Sequence, residues 1–432
     1  MQEEEQGGED EIRVIGGTQE EDEHGYARRR RTSPPPPQAQ PAQHADLPTA
    51  AEAHSTYIPC TTHIPKSCRG DYARALADTI SESLDNPQDM SKWTKLQIIS
   101  KCVLRAKRKG EAQTAQSYAA EVRVRIQRWR NGEAGALWRE AVKAQKAGQK
   151  GKRKKKGRRV QTDEESQENA IRAMKLVQEG QYSRAAKALV SRGIDQNSAE
   201  AKAEMRRKHP AAKATEIPEG NIPSPPIRIS PTQVKKAIRS FKKGTAPGPD
   251  GKRPEHLKEA LAAVSQNRSS RFQSVLAALV NFLASGELSD EVAPFMGGAN
   301  LFAGLKKDGG HRPIAVGNCL RRLVSKCIAY AVAGRAAALL RPYQFGVGVK
   351  GGCEGIIHAV RALLQDVDVP DGDKWLLQVD FENAFNLVDR SMMIAEVRKR
   401  MPDISYWVES MYGVEAYLNM GDISIMSAAG VH

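Results

Sequence analysis

The chain has 432 residues, of which 27 % are charged and only 5 % aromatic, and its net charge is +15. This composition argues against a chain that is packed throughout, and six scattered cysteines, none in a Cys-x-x-Cys pair, suggest neither a disulfide framework nor a four-cysteine zinc site. No apolar run approaches the ~20 residues that span a bilayer and the acidic start lacks the features of a signal peptide, so we expect a nuclear or cytoplasmic protein without a membrane partner.

The positive charge is concentrated in one part of the chain. Residues 101–160 carry twenty Lys and Arg against four acids, whereas residues 1–24 carry ten acids against one Arg. A concentrated basic region attracts polyanions and releases their counterions, which gives salt-sensitive affinity without sequence preference. We therefore expect nucleic acid to be a partner.

The N-terminal segment, residues 1–55, predicts a disordered tail. It contains the acidic run, four arginines at positions 28–31 and four prolines at positions 34–37. Such a composition cannot bury enough apolar surface to offset the entropy of the chain.

Residues 56–147 predict a helical basic region. Val122, Ile126 and Trp129 recur at helical spacing, with arginines around them. Three residues near the start of this region suggest a zinc site, although no fourth ligand is evident at a suitable spacing: Cys60, His63 and Cys68.

Two linkers flank a predicted helical pair at residues 163–215. Residues 148–162 are a basic linker, whose run KRKKKGRR at 152–159 is open to three interpretations: a nuclear-import signal, an RNA-phosphate contact or a solvated linker. Residues 216–228 are a Pro-rich linker. The first helix of the pair has an apolar stripe formed by Ile171, Met174 and Val177.

Residues 229–432 predict a continuous α/β domain. Ser230 is an N-cap followed by Pro at the first helical position. The short apolar runs at 314–316 and 376–379 suit buried strands. Two amphipathic helices are predicted from the stripes Leu320, Leu323, Val324, Cys327, Ile328, and Ile356, Val360, Leu363, Leu364.

The segment 376–386, LLQVDFENAFN, delivers one carboxylate, Asp380, at the end of a predicted strand. Burying a lone Asp is costly unless its charge is compensated, and Mg²⁺ is one such compensation. Phe385 follows five residues later, where its ring can limit the space beside a sugar. The alternative is an Asp that caps the turn after a strand.

The segment 305–316, LKKDGGHRPIAV, predicts a hairpin with Asp-Gly-Gly at its tip. Lys306 and Lys307 on one strand and Arg312 on the other would offset the charge of a triphosphate. The alternative is a solvated charged hairpin.

Two further candidate segments are glycine-containing loops. Residues 245–251, TAPGPDG, have the composition of a turn. Residues 344–352, QFGVGVKGG, carry glycines that would let the backbone approach a nucleic-acid strand, or form a plain loop before a helix.

Taken in their order along the chain, 245–251, 305–316, 344–352 and 376–386, these four segments resemble those of reverse transcriptases from non-LTR retrotransposons. The resemblance implies a right-hand polymerase whose fingers and partial palm occupy residues 229–432. It further implies an RNA template, a DNA primer and a dNTP as ligands, with Mg²⁺ as cofactor. Telomerase and group II intron maturases match less well.

Carried over residue by residue, the resemblance makes Asp380 a catalytic ligand of the metals and Phe385 the ring that screens the sugar 2′ position. The backbone at Asn383 and Ala384 would approach the dNTP. Arg312, with Lys306 or Lys307, would bind the triphosphate. The template-binding residues would be Gln344, Gly346, Lys350, Gly351 and Gly352.

Two-metal transfer needs several converging carboxylates, and only Asp380 is present in the expected pattern. The Gln-Gly-Asp and Ala-Asp-Asp stretches of the family occur nowhere in the 432 residues. We therefore expect the chain by itself not to polymerise DNA. The rival hypothesis is a non-catalytic nucleic-acid-binding remnant or domesticated fragment.

Overall fold

The computed structural model describes residues 47–107, 114–149, 163–263 and 266–431, all within one compact unit, Pro37–His432. The basic run at 152–159 and most of the predicted N-terminal tail lie outside the described residues. Within the described ranges the chain is mostly helical, with seventeen α-helices and one small mixed sheet of four strands.

The first two groups of helices cover the basic region and the segment after it. The first group is α1 (Ala50–Ser55), α2 (Arg69–Asp85), α3 (Met90–Val103), α4 (Ala115–Arg130) and α5 (Ala134–Gln149). The second group is α6 (Asp163–Gln178), α7 (Tyr182–Leu189) and α8 (Ala199–Lys208).

The remaining elements alternate helices with two hairpins. The helices are α9 (Pro231–Arg239), α10 (Pro254–Ala262), α11 (Gln266–Ala284), α12 (Ala293–Met296), α13 (Cys319–Leu340), α14 (Gly352–Gln365), α15 (Ala384–Leu387), α16 (Arg390–Arg400) and α17 (Pro402–Tyr412). The strands are β1 (Ala299–Leu305), β2 (His311–Gly317), β3 (Ala416–Met420) and β4 (Ile423–Ser427).

The sheet has the order β2-β1-β3-β4. The β1–β2 pair is an antiparallel hairpin with Leu305 opposite His311, which confirms the predicted hairpin. The strand predicted at 314–316 also forms, but the expected burial is wrong, because Ile314 is exposed and its two neighbours are only half-buried. β3 runs parallel to β1, with Ala299 opposite Leu418, and β4 returns antiparallel to β3. A small second core covers this sheet, and Met205 of α8 belongs to it.

One large core joins the helical basic region to the elements after residue 229. It contains Trp93 and Ile126 from the first group of helices together with Leu276 and Leu323 from later ones. Burying each such side chain stabilises the fold by about 1.5–3 kcal/mol, so the two regions stabilise each other. The predicted stripes of α4 and α13 both face this core.

Two predictions for the part of the chain before residue 216 are wrong: the extent of the disordered tail and the burial of the apolar stripe on α6. The predicted disordered tail extends to residue 55, but α1 forms there, begun by a capping box in which Thr49 and Glu52 bond each other's backbone N–H. The predicted stripe on α6 is exposed, because α6 and α7 pack through Ala173, Ala185 and Ala188 instead. The predicted helical pair also gains a third helix, α8, capped by Ser198.

The predicted strand at 376–379 is also wrong. Residues 374–381 have no regular structure, and Leu377 is 87 % exposed. A strand requires a neighbour to satisfy its backbone N–H and C=O groups, and none of the described strands pairs with this segment. The helix predicted at 356–364 does form, as α14, but its apolar stripe remains largely exposed.

Helix α13 corrects the expectation that no apolar run is long enough to span a bilayer. Its 22 residues are long and apolar enough, by length and composition, to cross a membrane. Leu320, Leu323 and Val324 nevertheless pack in the large core, and Arg321 is buried among them. Core helices pass the same test of length and composition, so α13 is weak evidence for a membrane span.

Candidate nucleotide site

The β1–β2 hairpin presents three cations, Lys306, Lys307 and Arg312, that have no acidic partner among the described residues. Its turn is closed by a hydrogen bond from the Lys306 N–H to the Gly310 carbonyl at 2.8 Å, and Gly309 takes a positive φ of 85°. Lys307 and Arg312 are exposed and Lys306 is half-buried. No carboxylate in the described part of the chain forms a salt bridge with any of the three. The hairpin therefore offers positive charge to an anion.

Helix α8 supports this hairpin next to its turn, through a partly buried ionic network around His311. His311 Nδ1 lies 2.7 Å from a Glu204 carboxylate oxygen, and Lys208 Nζ lies 2.8 Å from the other. Burial alone would raise the pKa of Glu204, but the hydrogen bonds from Lys208 and His311 outweigh it and lower that pKa to about 2. Glu204 is therefore ionised at neutral pH and fixes the strand that carries Arg312.

The segment after Asp380 is attached to the same helix. Asn383 takes a left-handed backbone conformation, φ 55°, and its side-chain amide donates a 2.9 Å hydrogen bond to the Lys208 carbonyl. The Lys208 ammonium donates to the carbonyl of His311, the residue before Arg312. The last turn of α8 thus connects the hairpin to Asn383, two of the predicted dNTP-binding segments.

Residues near the C terminus hold the other side of this segment. The Gly430 N–H donates to Val388 and the Val431 N–H donates to Phe385, at 3.0 and 2.7 Å. The buried Arg390 guanidinium donates to the carbonyl of Gly430 at 2.9 Å. Ala384 and Phe385 lie in α15, and Phe385 is 76 % exposed.

Asp380 itself is exposed and has no hydrogen-bond partner within the described ranges. Among these residues no group of three or more His, Cys, Asp or Glu side chains lies close enough to hold a metal ion. Mg²⁺ in phosphoryl-transfer sites is held by carboxylates together with the substrate phosphates. The described carboxylates therefore do not fit the pair of catalytic Mg²⁺ ions that the sequence predicts.

The predicted template segment folds back on α13. Gly348 has a positive φ of 68°, and a Cβ there would lie 2.7 Å from that of Ala337. Gly351 begins α14 in a left-handed conformation, and a Cβ at Gly352 would meet the Phe345 carbonyl at 1.9 Å. These glycines are required by the fold of the loop. Gln344, Gly346 and Lys350 are exposed.

The second half of the TAPGPDG loop, residues 248–251, is a buried connection, a role that its turn composition did not predict. The Asp250 N–H donates to the Asn318 side chain at 3.1 Å, and a Cβ at Gly248 would lie 2.4 Å from the Gly317 carbonyl. Lys252, the first residue after the loop, is fully buried, and its ammonium lies 3.4 Å from the hydroxyl of Ser100 in α3. The loop thus joins α3 to the base of the hairpin.

The three residues considered for zinc have separate partners. The Cys60 thiol donates to the Ser100 carbonyl and the Cys68 thiol to the Ala119 carbonyl, while His63 contacts Glu259 at 2.7 Å. Burial raises the pKa of Cys60 to about 12, so this thiol is protonated at neutral pH and is a poor metal ligand.

The α8 network was missed in the sequence. The only local signal was the spacing of Glu204 and Lys208, one helical turn apart.

A scan against protein-family models and a search of curated proteins both found no match for this chain. The functional assignment therefore depends on the residues themselves.

Proposed function

We propose that this chain is the fingers and first part of the palm of an RNA-directed DNA polymerase of the non-LTR retrotransposon kind. One observation carries the proposal: the last turn of α8 bonds both to Asn383 and to the carbonyl beside Arg312. Two segments more than sixty residues apart, each resembling a dNTP-binding motif, are thereby attached to one support.

In this proposal Arg312 and one of Lys306 or Lys307 bind the triphosphate of a dNTP. Phe385 lies beside the sugar, and the backbone at Asn383 and Ala384 faces the phosphates. Gln344, Gly346, Lys350, Gly351 and Gly352 hold an RNA template paired to a DNA primer. Asp380 would serve as a Mg²⁺ ligand only together with further carboxylates, which the described residues do not supply.

A binding measurement tests the nucleotide site without requiring catalysis. A fluorescent dGTP analogue is titrated into the full chain with a primer–template duplex and Mg²⁺ present. Losing a charge-assisted hydrogen bond costs about 1.5–3 kcal/mol, so Arg312→Ala should weaken binding by about 10-fold or more. The matched control, Lys213→Ala, removes an exposed charge elsewhere and should leave affinity within about 2-fold. Equal affinity of the wild type and Arg312→Ala would refute the site.

A second candidate function is a non-catalytic nucleic-acid-binding protein. Asp380 is exposed and no cluster of acids surrounds it among the described residues, which favours this function, because a catalytic carboxylate needs other acids beside it. Reading the coding DNA beyond codon 432 discriminates the two. A frame that continues into Gln-Gly-Asp and Ala-Asp-Asp supports the polymerase, whereas a stop codon supports the binding protein.

A further inference from the structure

Helices α9 and α13 pack against each other, and residues of α9, of the segment 240–243 after it and of α13 form a basic surface that no predicted motif includes. The surface contains two aromatic rings, those of Phe241 and Tyr330. We call it the α9–α13 surface. Its basic members are Lys235, Lys236, Arg239, Lys242, Lys243 and Lys326.

Lys326 is held between the two rings. Its ammonium lies 5.2 Å from the centroid of Phe241 and 5.1 Å from that of Tyr330, within the range of cation–π attraction. The Ser240 hydroxyl and Lys326 both lie beside the Tyr330 hydroxyl and lower its pKa. Tyr330 nevertheless remains 48 % exposed, so part of its ring is open to a ligand.

The acids in the described ranges do not neutralise the charge of this surface. None of its six cations forms a salt bridge with a carboxylate in the part of the chain that the structure describes. The acids of α10 have other partners: Glu255 accepts a hydrogen bond from the Gly244 N–H at 2.7 Å, and Glu259 lies 2.8 Å from Arg69. Uncompensated positive charge of this density attracts a polyanion.

We propose that the α9–α13 surface binds single-stranded nucleic acid, with phosphates on the cations and a base stacked on Tyr330. An exposed aromatic ring among Lys and Arg is the combination by which single strands are bound without sequence preference. A duplex keeps its bases stacked on each other and offers no free base to the ring. An anionic membrane surface would meet the charges but leave the ring without a stacking partner.

The proposal goes beyond the nucleotide site, because it uses α9 and α13 and neither the hairpin tip nor the segment around Asp380. It does not require polymerase activity. A failure here would leave the Arg312 titration unaffected, and a failure of that titration would leave this surface in place.

The charge part is tested by fluorescence anisotropy with the full chain and a labelled single-stranded oligouridine of about 20 nucleotides, long enough to exceed the span of one site. The double variant Lys236→Gln/Lys326→Gln is compared with Lys66→Gln/Lys399→Gln, which removes the same charge from exposed positions elsewhere. The plot of log affinity against log salt has a negative slope, and each lost phosphate contact makes that slope shallower by about 0.7. The slope should therefore become shallower by about 1.4 in Lys236→Gln/Lys326→Gln and by less than about 0.4 in the control.

The stacking part is tested by a matched pair. Tyr330→Phe keeps the ring and should bind within about 2-fold of the wild type, whereas Tyr330→Ala should bind about 10-fold more weakly. Circular dichroism melting curves confirm that each variant is folded. Equal salt slopes for the two double variants, equal affinities for the Tyr330 pair, or tighter binding to a same-length duplex or to phosphatidylserine vesicles would each overturn the proposal.

Discussion

The side chain of Asn383 donates a hydrogen bond of 2.9 Å to the carbonyl of Lys208, 175 residues earlier in the chain. This bond attaches an otherwise exposed segment to α8, the helix that also holds the hairpin through Glu204 and His311. This contact therefore links the two candidate dNTP-binding segments, while the backbone bonds from Gly430 and Val431 hold the other side of the 383–388 segment.

Asn383→Gly should loosen residues 374–388. Glycine keeps the left-handed conformation but loses the hydrogen bond, worth about 1 kcal/mol, so local protease cleavage should rise about 5-fold. Asn383→Ala should have a larger effect, because alanine adds about 1–2 kcal/mol of backbone strain at φ 55°. Limited proteolysis with mass spectrometry measures both. Glu382→Gly, an exposed neighbour, is the control, and equal cleavage of all three variants would contradict the role of the bond.

Gly248→Ala should destabilise the whole fold. A methyl group there would lie 2.4 Å from the Gly317 carbonyl, so the loop must separate from the base of the hairpin, at a cost of about 2 kcal/mol or more. The matched control is Gly334→Ala in α13, where nothing lies within 4 Å. Alanine is the better helix former, so this variant should be more stable by about 0.5–1 kcal/mol. Urea unfolding measures the free energy of unfolding of both variants. A Gly248→Ala protein as stable as the wild type would show that the loop is not tightly packed.

Acid should destabilise the protein through His256. Its Nδ1 accepts a hydrogen bond from the Arg253 N–H and its Nε2 contacts the Thr61 carbonyl at 2.8 Å, so the ring is neutral. Burial lowers its pKa from 6.5 to about 3. The unfolded chain therefore binds a proton between pH 6.5 and 3 that the folded chain does not, and stability falls as the pH falls through this window, by about 2 kcal/mol at pH 5.

The variant His256→Gln measures this contribution. It lacks the titrating ring, so its free energy of unfolding should fall less between pH 7 and pH 5 than that of the wild type. Urea unfolding at the two pH values gives the difference. Parallel pH dependence in both proteins would mean that His256 is not the titrating group.

The buried ion pair of α16 and α17 should be required for stability. Arg398 donates two hydrogen bonds of 2.9 Å to Glu409, and it also donates to the Pro218 carbonyl of the Pro-rich linker. Arg398→Met leaves the Glu409 carboxylate buried without its counter-ion, which should cost about 3–5 kcal/mol. The double variant Arg398→Met/Glu409→Met removes that charge and should recover part of the loss. A double variant less stable than the single one, in thermal unfolding, would argue against this explanation.

Local signals in the sequence determined the elements whose stability is local. The turn at Gly309 and the β1–β2 hairpin were predicted correctly, because a glycine that accepts positive φ specifies the reversal by itself. The stripes of α4 and α13 were also predicted, because an apolar face at helical spacing requires a core whatever its partner is. The identities of the candidate dNTP-binding residues likewise came from the sequence.

The tertiary structure decided which apolar segments are paired and which polar groups meet. The run at 376–379 has the composition of a strand, yet it remains exposed because pairing depends on a neighbour that local sequence does not specify. The contacts of Asn383 with Lys208 and of Gly248 with Gly317 join residues far apart in the chain. Such contacts follow from how helices and strands pack, and periodicity within a segment carries no information about them.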